Sequence, residues 1–335
     1  MDGISHEADI NMRTAAVKAR AAALGFDACG VALVQDVDPE GRLDAWLARG
    51  YHASMDWIAR TRDSRRDVTK VLPGAASVVV VARNYYAPRP AIAPGTGCVS
   101  RYAWGRDYHR VLRKPLRALA AYIAETASCG GKQSEPCKPA YYCAIDTGPV
   151  LERGWAARAG IGWVGKNGMV IHRELGSWLF LGVIATTVPL FPDRPVASQC
   201  GNCRRCMEAC PTGAIVEPGV VDSRACISYH TIENRSEIPG SLCERFGDWV
   251  FGCDVCQEAC PWNAGVRETS EKRFHPDVGQ AALDLEGIGG MDETGFRARF
   301  RGTPIYRARL AGLQRNAAIA ASNVNKRRAP GGIGS

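Results

Sequence analysis

The stretch from Cys200 to Pro211, CGNCRRCMEACP, limits what this chain can build more than any other. Thiols stand at 200, 203, 206 and 210, and Pro211 follows. A partial copy, CDVCQEACP, places Cys253, Cys256 and Cys260 before Pro261. Cysteines at every third position wrap the backbone around one side of a polynuclear cluster, and the last thiol of each run is left pointing elsewhere. Zinc is the competing occupant. It favours four ligands in a closed tetrahedron, as two C-x2-C pairs, and fits strict period three with two C-x3-C-P endings poorly.

The full run has the C-x2-C-x2-C-x3-C-P spacing of a bacterial two-cluster ferredoxin, in which the cysteine before proline ligates the other cluster. On that pattern Cys200, Cys203 and Cys206 take Cys260 as their fourth ligand, and Cys253 and Cys256 take Cys210. The second set is one ligand short, because Val250 stands where a complete copy would carry cysteine. Cys226 and Cys243 are the nearby candidates, and spacing does not choose between them.

A bare ferredoxin would need only the cysteine-rich part of these 335 residues. The chain is long enough for more than one domain, and 46% hydrophobic residues support an ample core. Fourteen cysteines in a chain this long, without a charged and then apolar leader at the N-terminus, point to a reducing, cytoplasmic setting rather than a disulfide scaffold. No apolar run approaches the length of a membrane span. The net charge of +8 permits a nucleic-acid partner without requiring one.

In chain order, residues 1–12 read as a frayed end and 14–24 as an Ala-rich helix. Residues 28–34 read as a strand, and Leu43, Trp46 and Leu47 share one helical face. Arg60, Arg62, Arg65, Arg66 and Lys70 form a basic stretch, a solvated loop or an anion contact. SVVVVA at 77–82 is a continuous β-branched run, so a buried strand is expected. Val111, Leu112, Leu116, Leu119 and Ile123 mark a helix, 130–139 a loop, 141–145 a strand and 178–187 another. The alternation of strands and helices up to residue 190 predicts an α/β (α+β) layer with a mixed or parallel sheet. A proline-rich linker at 189–198 leads into a ferredoxin-like two-[4Fe–4S] domain over 191–273. A short basic helical segment, 274–335, closes the chain. From Met291 onward nine Lys/Arg face two acids, a local charge of +7. An ordinary charged helix pair or a phosphate-binding face would both account for it.

Residues 1–190 must hold the electron acceptor or the chemistry. Flavin, nicotinamide and cobalamin are the redox partners to consider. No G-x-G-x-x-G follows a strand, and GIGWVGKNG at 160–168 matches neither that fingerprint nor a P-loop. The D-x-H-x-x-G sequence that supplies a lower cobalamin ligand is absent too, DYHRVL at 107–112 included. Longer stretches are more informative: SRYAWGRDYH at 100–109, DTGPVLERGWAARAGIGWVGKNG at 146–168, the paired Cys-Pro runs, CISYHTIE at 226–233 and GTPIYRARLAGLQRNAAIA at 302–320. Together, in this order, they resemble the epoxyqueuosine reductases, and the likeness extends from about residue 10 to 323.

The resemblance implies a cobalamin and two [4Fe–4S] clusters that reduce the epoxide of epoxyqueuosine in tRNA to queuosine. An external low-potential electron donor is expected, and the enzyme is expected to be a cytoplasmic monomer with no membrane partner. It assigns Cys200, Cys203, Cys206 and Cys260 to one cluster and Cys210, Cys226, Cys253 and Cys256 to the other, leaving Cys243 spare. It makes Asp146 the proton donor, its acidity weakened by burial beside an apolar corrin. A helix N-cap before Val150 would be the structural alternative for that residue. Ser100, Trp104, Tyr108, Lys166, Asn167 and Ser228, with His109, become candidates to line the cobalamin or substrate pocket, with core packing the alternative for Trp104. Arg297, Arg299, Arg307 and Arg315 become candidate tRNA contacts. Two departures stand out: Ser100 replaces a cysteine common in relatives, and His230 replaces a more usual leucine, for which no ligand role is expected. Longer relatives continue into a HEAT-like repeat domain, whereas this chain has room for one helical pair, so a short family form is expected. A reductive dehalogenase-like enzyme acting on a small molecule would use the same cofactors, and a bare electron carrier would leave residues 1–190 idle.

Overall fold

The computed structural model of the chain describes residues 2–91, 93–128, 139–276 and 280–328. The expected loop at 130–139 and the last seven residues therefore lie almost wholly outside it. The β-branched run forms the strand Ser77–Asn84, in the interior of a four-stranded sheet. Ala28–Leu33 pairs with it on one side, Leu179–Thr186 on the other, and Tyr141–Ala144 adds to the outer edge of Leu179–Thr186. All three pairings are antiparallel, which corrects the expectation of a mixed or parallel sheet. Alternation of strand and helix in sequence carries no direction: the helical excursions here return the chain antiparallel.

Both faces of the sheet are covered, so the run needs no polar alternation. Val79 and Val81 pack with Leu112, Leu116, Leu119 and Ile123 of the helix Tyr108–Ser128 and with Val17 and Ala21 of the helix Asp2–Ala23. Val78, Val80 and Ala82 pack the other way, against Trp155 and Ala156 of the helix Glu152–Arg158. The first helix begins at Asp2, so residues 2–12 are helical rather than frayed.

A second, three-stranded sheet joins the three sequence segments. Its central strand, Thr96–Val99, comes from the first segment. Trp249–Phe251 from the cysteine-rich segment pairs parallel to it, and Ala282–Asp284 from the C-terminal segment pairs antiparallel. Around this sheet Trp104, Phe251, Leu283, Phe296, Phe300 and Leu313 form one core, capped by the helix Arg309–Arg328. Val250 is buried here, in strand rather than loop backbone.

The two runs fold alike. Arg205–Glu208 and Val255–Glu258 are matching single helical turns, entered through Arg204 (φ −124°, ψ 6°) and Asp254 (φ −106°, ψ 0°). Gly252, just before Cys253, has φ +69°, and a Cβ there would meet the Cβ of Ser100 at 2.5 Å, so only glycine lets the second run approach this close.

Candidate functional site

The thiols segregate into two groups. Cys200, Cys203, Cys206 and Cys260 line a cavity of about 130 Å³, together with Lys166, Asn167, Ile171 and Trp262. Burial raises the pKa of Cys260, and the thiols of Cys200, Cys206 and Cys203 raise it further. Cys226 lies at the N-terminus of the helix Ile227–Ile232 and interacts electrostatically with Cys210. Cys253 and Cys256 both interact with Cys226, and Cys256 also with Cys210. Cys243 faces Arg315 and Glu244 instead, and its Sγ lies 3.5 Å from the carbonyl of Ile238. Burial, followed by thiol–thiol repulsion, keeps Cys253, Cys256 and Cys260 protonated in the absence of positive charge. Cationic irons would reverse that balance, since a coordinating thiol loses its proton outright. Among the described residues no three His, Cys, Asp or Glu side chains converge on a point suited to a single metal ion. The first group surrounds a cavity, and its all-thiol donor set suits an iron–sulfur cluster.

A buried polar network ties the second run to residues 100–101. The Asp254 carboxylate is fully buried between Cys253 and Cys256. It accepts hydrogen bonds from Ser100 Oγ, from the Arg101 backbone N–H at 2.9 Å and from Arg101 Nη1 at 3.2 Å. Arg101 also donates to Glu258 at 2.7 Å, and its guanidinium lies over Trp178 and Trp104. Ser100 is thus buried with its hydroxyl engaged away from any cleft. Trp104 is fully buried and donates Nε1–H to the Val99 carbonyl, so it packs the core. The sequence carried no signal for Asp254 and Arg101, because their partnership spans 153 residues.

Asp146 sits at the end of the strand Tyr141–Ala144, with φ +59°, a left-handed conformation that costs a non-glycine residue about 1 kcal/mol. Its carboxylate is recessed among protein atoms but 61% exposed. Leu151 rather than Asp146 caps the following helix, so the N-cap alternative does not hold. Tyr108 donates its O–H to Asp146 Oδ2 at 2.7 Å, and His109 Nε2 lies 3.5 Å from the same oxygen. The Asp146 backbone N–H donates to Glu152.

Burial pushes the Asp146 pKa upward, but the close approach of His109, the Tyr108 hydrogen bond and the charges of His109 and Arg307 outweigh it. The net shift is downward, opposite to the expected weakening of this acid. Burial and the Asp146 charge instead raise the neighbouring Glu152 to about 8. Glu152 was missed in the sequence, where only its place six residues after Asp146 hints at a role.

The remaining candidates divide. Lys166 donates to the Gly201 carbonyl at 2.6 Å, and Asn167 is buried against the Cys256 carbonyl at 3.4 Å; both border the first thiol cavity. Ser228 lies close enough to the Cys226 thiol to lower its pKa, against the larger upward effect of burial. Arg297 and Arg299 are exposed on the helix Glu293–Phe300. Arg307 pairs with Glu233 at 2.8 Å. Arg315 donates to the carbonyls of His230, Asn234 and Ser236, which makes it a brace between elements rather than an open phosphate contact. His230 is buried and fixed by the Arg224 carbonyl at 2.7 Å and by Asn234.

Comparisons with known proteins show the family. Residues 199–263 match a family model described as a 4Fe-4S double cluster binding domain, and residues 65–138 match one described as Epoxyqueuosine reductase QueG. The epoxyqueuosine reductase of Synechocystis sp. is 46% identical over 86% of this chain and 98% of its own length. The chain belongs to the epoxyqueuosine reductase family. Members from Gloeobacter violaceus and Escherichia coli are 44% and 39% identical, covered over 94% and 83% of their own lengths. A crystal structure of epoxyqueuosine reductase with an epoxyqueuosine-modified tRNA-Tyr stem loop superposes with a TM-score of 0.82. It is 29% identical and covers 92% of this chain and 80% of that one. As an epoxyqueuosine reductase family member the chain is an oxidoreductase with a double 4Fe–4S domain and a mixed α/β fold. No helix among the described residues is long and apolar enough to cross a membrane.

Proposed function

We propose that this protein reduces epoxyqueuosine in tRNA to queuosine, with Asp146 as the group that delivers protons. The observation that carries the reading is an accessible carboxylate, braced by Tyr108 and His109, in the same fold as two adjoining sets of four thiols. Cys200, Cys203, Cys206 and Cys260 hold the first cluster, and Cys210, Cys226, Cys253 and Cys256 the second. The coupling between Cys206 and Cys256 supports close approach of the two, as electron passage from an external donor requires. Cobalamin, if bound, would supply the low-potential redox chemistry that links the clusters to the epoxide. Tyr108, Lys166, Asn167 and Ser228 are the residues that fit its border, since their side chains adjoin Asp146 or the thiols, whereas Ser100 and Trp104 are withdrawn into the interior.

Loss of the epoxide oxygen as water takes two electrons and two protons. Asp146 can reach the leaving oxygen because its carboxylate is accessible while its backbone is clamped by Glu152. Arg307, close enough to lower the Asp146 pKa, and Arg297 and Arg299 supply positive charge for tRNA phosphates.

The test is anaerobic turnover of epoxyqueuosine-containing tRNA by cluster-loaded protein with cobalamin and a low-potential reductant. Nucleoside mass spectrometry should show loss of one oxygen atom. Asp146→Asn, which tolerates the left-handed backbone, should retain iron and cobalamin and lose turnover at least a hundredfold (about 10²). Wild-type turnover in that variant would remove Asp146 from the chemistry, and no conversion by the loaded native protein would overturn the reading.

A further inference from the structure

We propose that Asp107 and His109 form a proton relay that charges Asp146 from behind, with the transferable proton stored on the imidazole. The inference rests on the reading of Asp146 above and adds where its protons come from.

The geometry is a line of three groups. Asp107 Oδ1 lies 2.7 Å from His109 Nδ1 and also accepts the His109 backbone N–H at 3.0 Å. A carboxylate only accepts, so Nδ1 carries hydrogen and Nε2 is the exchanging nitrogen. Nε2 is buried, makes no hydrogen bond of normal geometry, and lies 3.5 Å from Asp146 Oδ2. The Tyr108 ring stacks on His109 at 4.1 Å and on Phe180 at 4.4 Å, which fixes the imidazole plane. Tyr108 O–H occupies the same Asp146 oxygen at 2.7 Å, so the carboxylate is held toward the histidine.

The charges around the imidazole favour storage there. Asp107 and Asp146 flank it, Glu152 lies behind Asp146, and Arg110 and Arg307 face the two carboxylates from outside. Burial opposes the imidazolium, yet the two flanking carboxylates raise His109 to about 9, while Asp146 stays below the usual carboxylate range. At neutral pH the pair therefore holds one proton, on His109. Substrate covering Asp146 would strip water from it and favour its neutral form. The Nε2 proton then passes to Oδ2, and Asp146 gives it to the leaving oxygen. His109 is left neutral, with Nδ1–H still bonded to Asp107, and because Nε2 is buried it recovers its proton through the exposed Asp146 carboxylate. Two such cycles supply the two protons of one turnover, and the two electrons come from the external donor through the clusters.

The experiment has two arms on the cluster-loaded protein. Histidine C2-hydrogen exchange read by mass spectrometry should give His109 a midpoint near 9. That midpoint should fall by a pH unit or more in both Asp107→Asn and Asp146→Asn. A His109 midpoint at or below the ordinary value, about 6.5, or one unmoved by both variants, overturns the relay. In the second arm, wild-type kcat should decline as pH rises through the same midpoint. His109→Gln should lose that limb and run at least tenfold slower near pH 7.5, and added imidazole should restore turnover in His109→Ala. A wild-type pH profile in His109→Gln overturns the proposal. If native protein converts no epoxyqueuosine at any pH, the functional reading fails, while the exchange midpoints still decide the relay.

Discussion

Arg101→Met tests whether the second cysteine run depends on the buried network beneath it. Methionine keeps the apolar stem but removes the guanidinium from Asp254, from Glu258 at 2.7 Å and from the Ala87 carbonyl at 3.1 Å. It also removes the cation lying 4.7 Å from the Trp178 ring centre. Asp254 keeps Arg89 at 3.2 Å, the Ser100 hydroxyl and one backbone N–H, but loses its most buried counter-charge. Breaking one partner of a buried pair costs about 3–5 kcal/mol. Unfolding entropy of about 2.1 cal/mol/K per residue gives about 0.7 kcal/mol/K for a chain of this length, so Tm should fall by about 4–7 °C. Anaerobic scanning calorimetry at a fixed scan rate reads this directly. Because Asp254 sits between Cys253 and Cys256, iron should also fall from about eight per chain toward about four. Lys326→Met removes a pair with Glu244 that is more than 60% exposed on both sides, and should move Tm by less than about 1.5 °C. A shift that small in Arg101→Met, with full iron, would refute the reasoning.

Cys226→Ser should halve iron content and leave one cluster signal by electron paramagnetic resonance, whereas Cys243→Ser should retain both. Glu152 has a folded pKa of about 8, above its unfolded value, so the native state binds the extra proton between those limits. Its contribution is therefore fully present at low pH and is lost as pH rises toward and through 8. Glu152→Gln keeps an acceptor for the Asp146 N–H, and should flatten that decline and raise Tm at pH 8.5 relative to wild type. Arg315→Ala should cost stability by freeing three carbonyls and leave the salt dependence of tRNA binding unchanged. Arg297→Glu should weaken tRNA binding, shown by a shallower dependence of log K on log salt, with little effect on Tm.

Local chemistry made much of this protein legible in its sequence. Thiol spacing over twelve residues announces a cluster, because the ligands needed on one side of it are close neighbours in the chain. SVVVVA announces a strand covered on both faces, because hydrophobicity at every position is useful only there. Val250 announced a missing ligand, and the CISY stretch pointed to Cys226. The tertiary structure decided whatever depends on groups distant in sequence. Strand direction was one such matter, since four antiparallel strands and four parallel ones can share the same alternation of elements. The single sheet that binds residues 96–99, 249–251 and 282–284 was another. Asp254 and Arg101 look like ordinary surface charges until folding buries them together. Asp146 was visible as a residue, but its acidity was not. The expected upward shift required burial to dominate, and the fold sets Tyr108 and His109 against the carboxylate instead. A pKa is fixed by the balance of desolvation against specific partners, and a chain position supplies neither until its neighbours are in place.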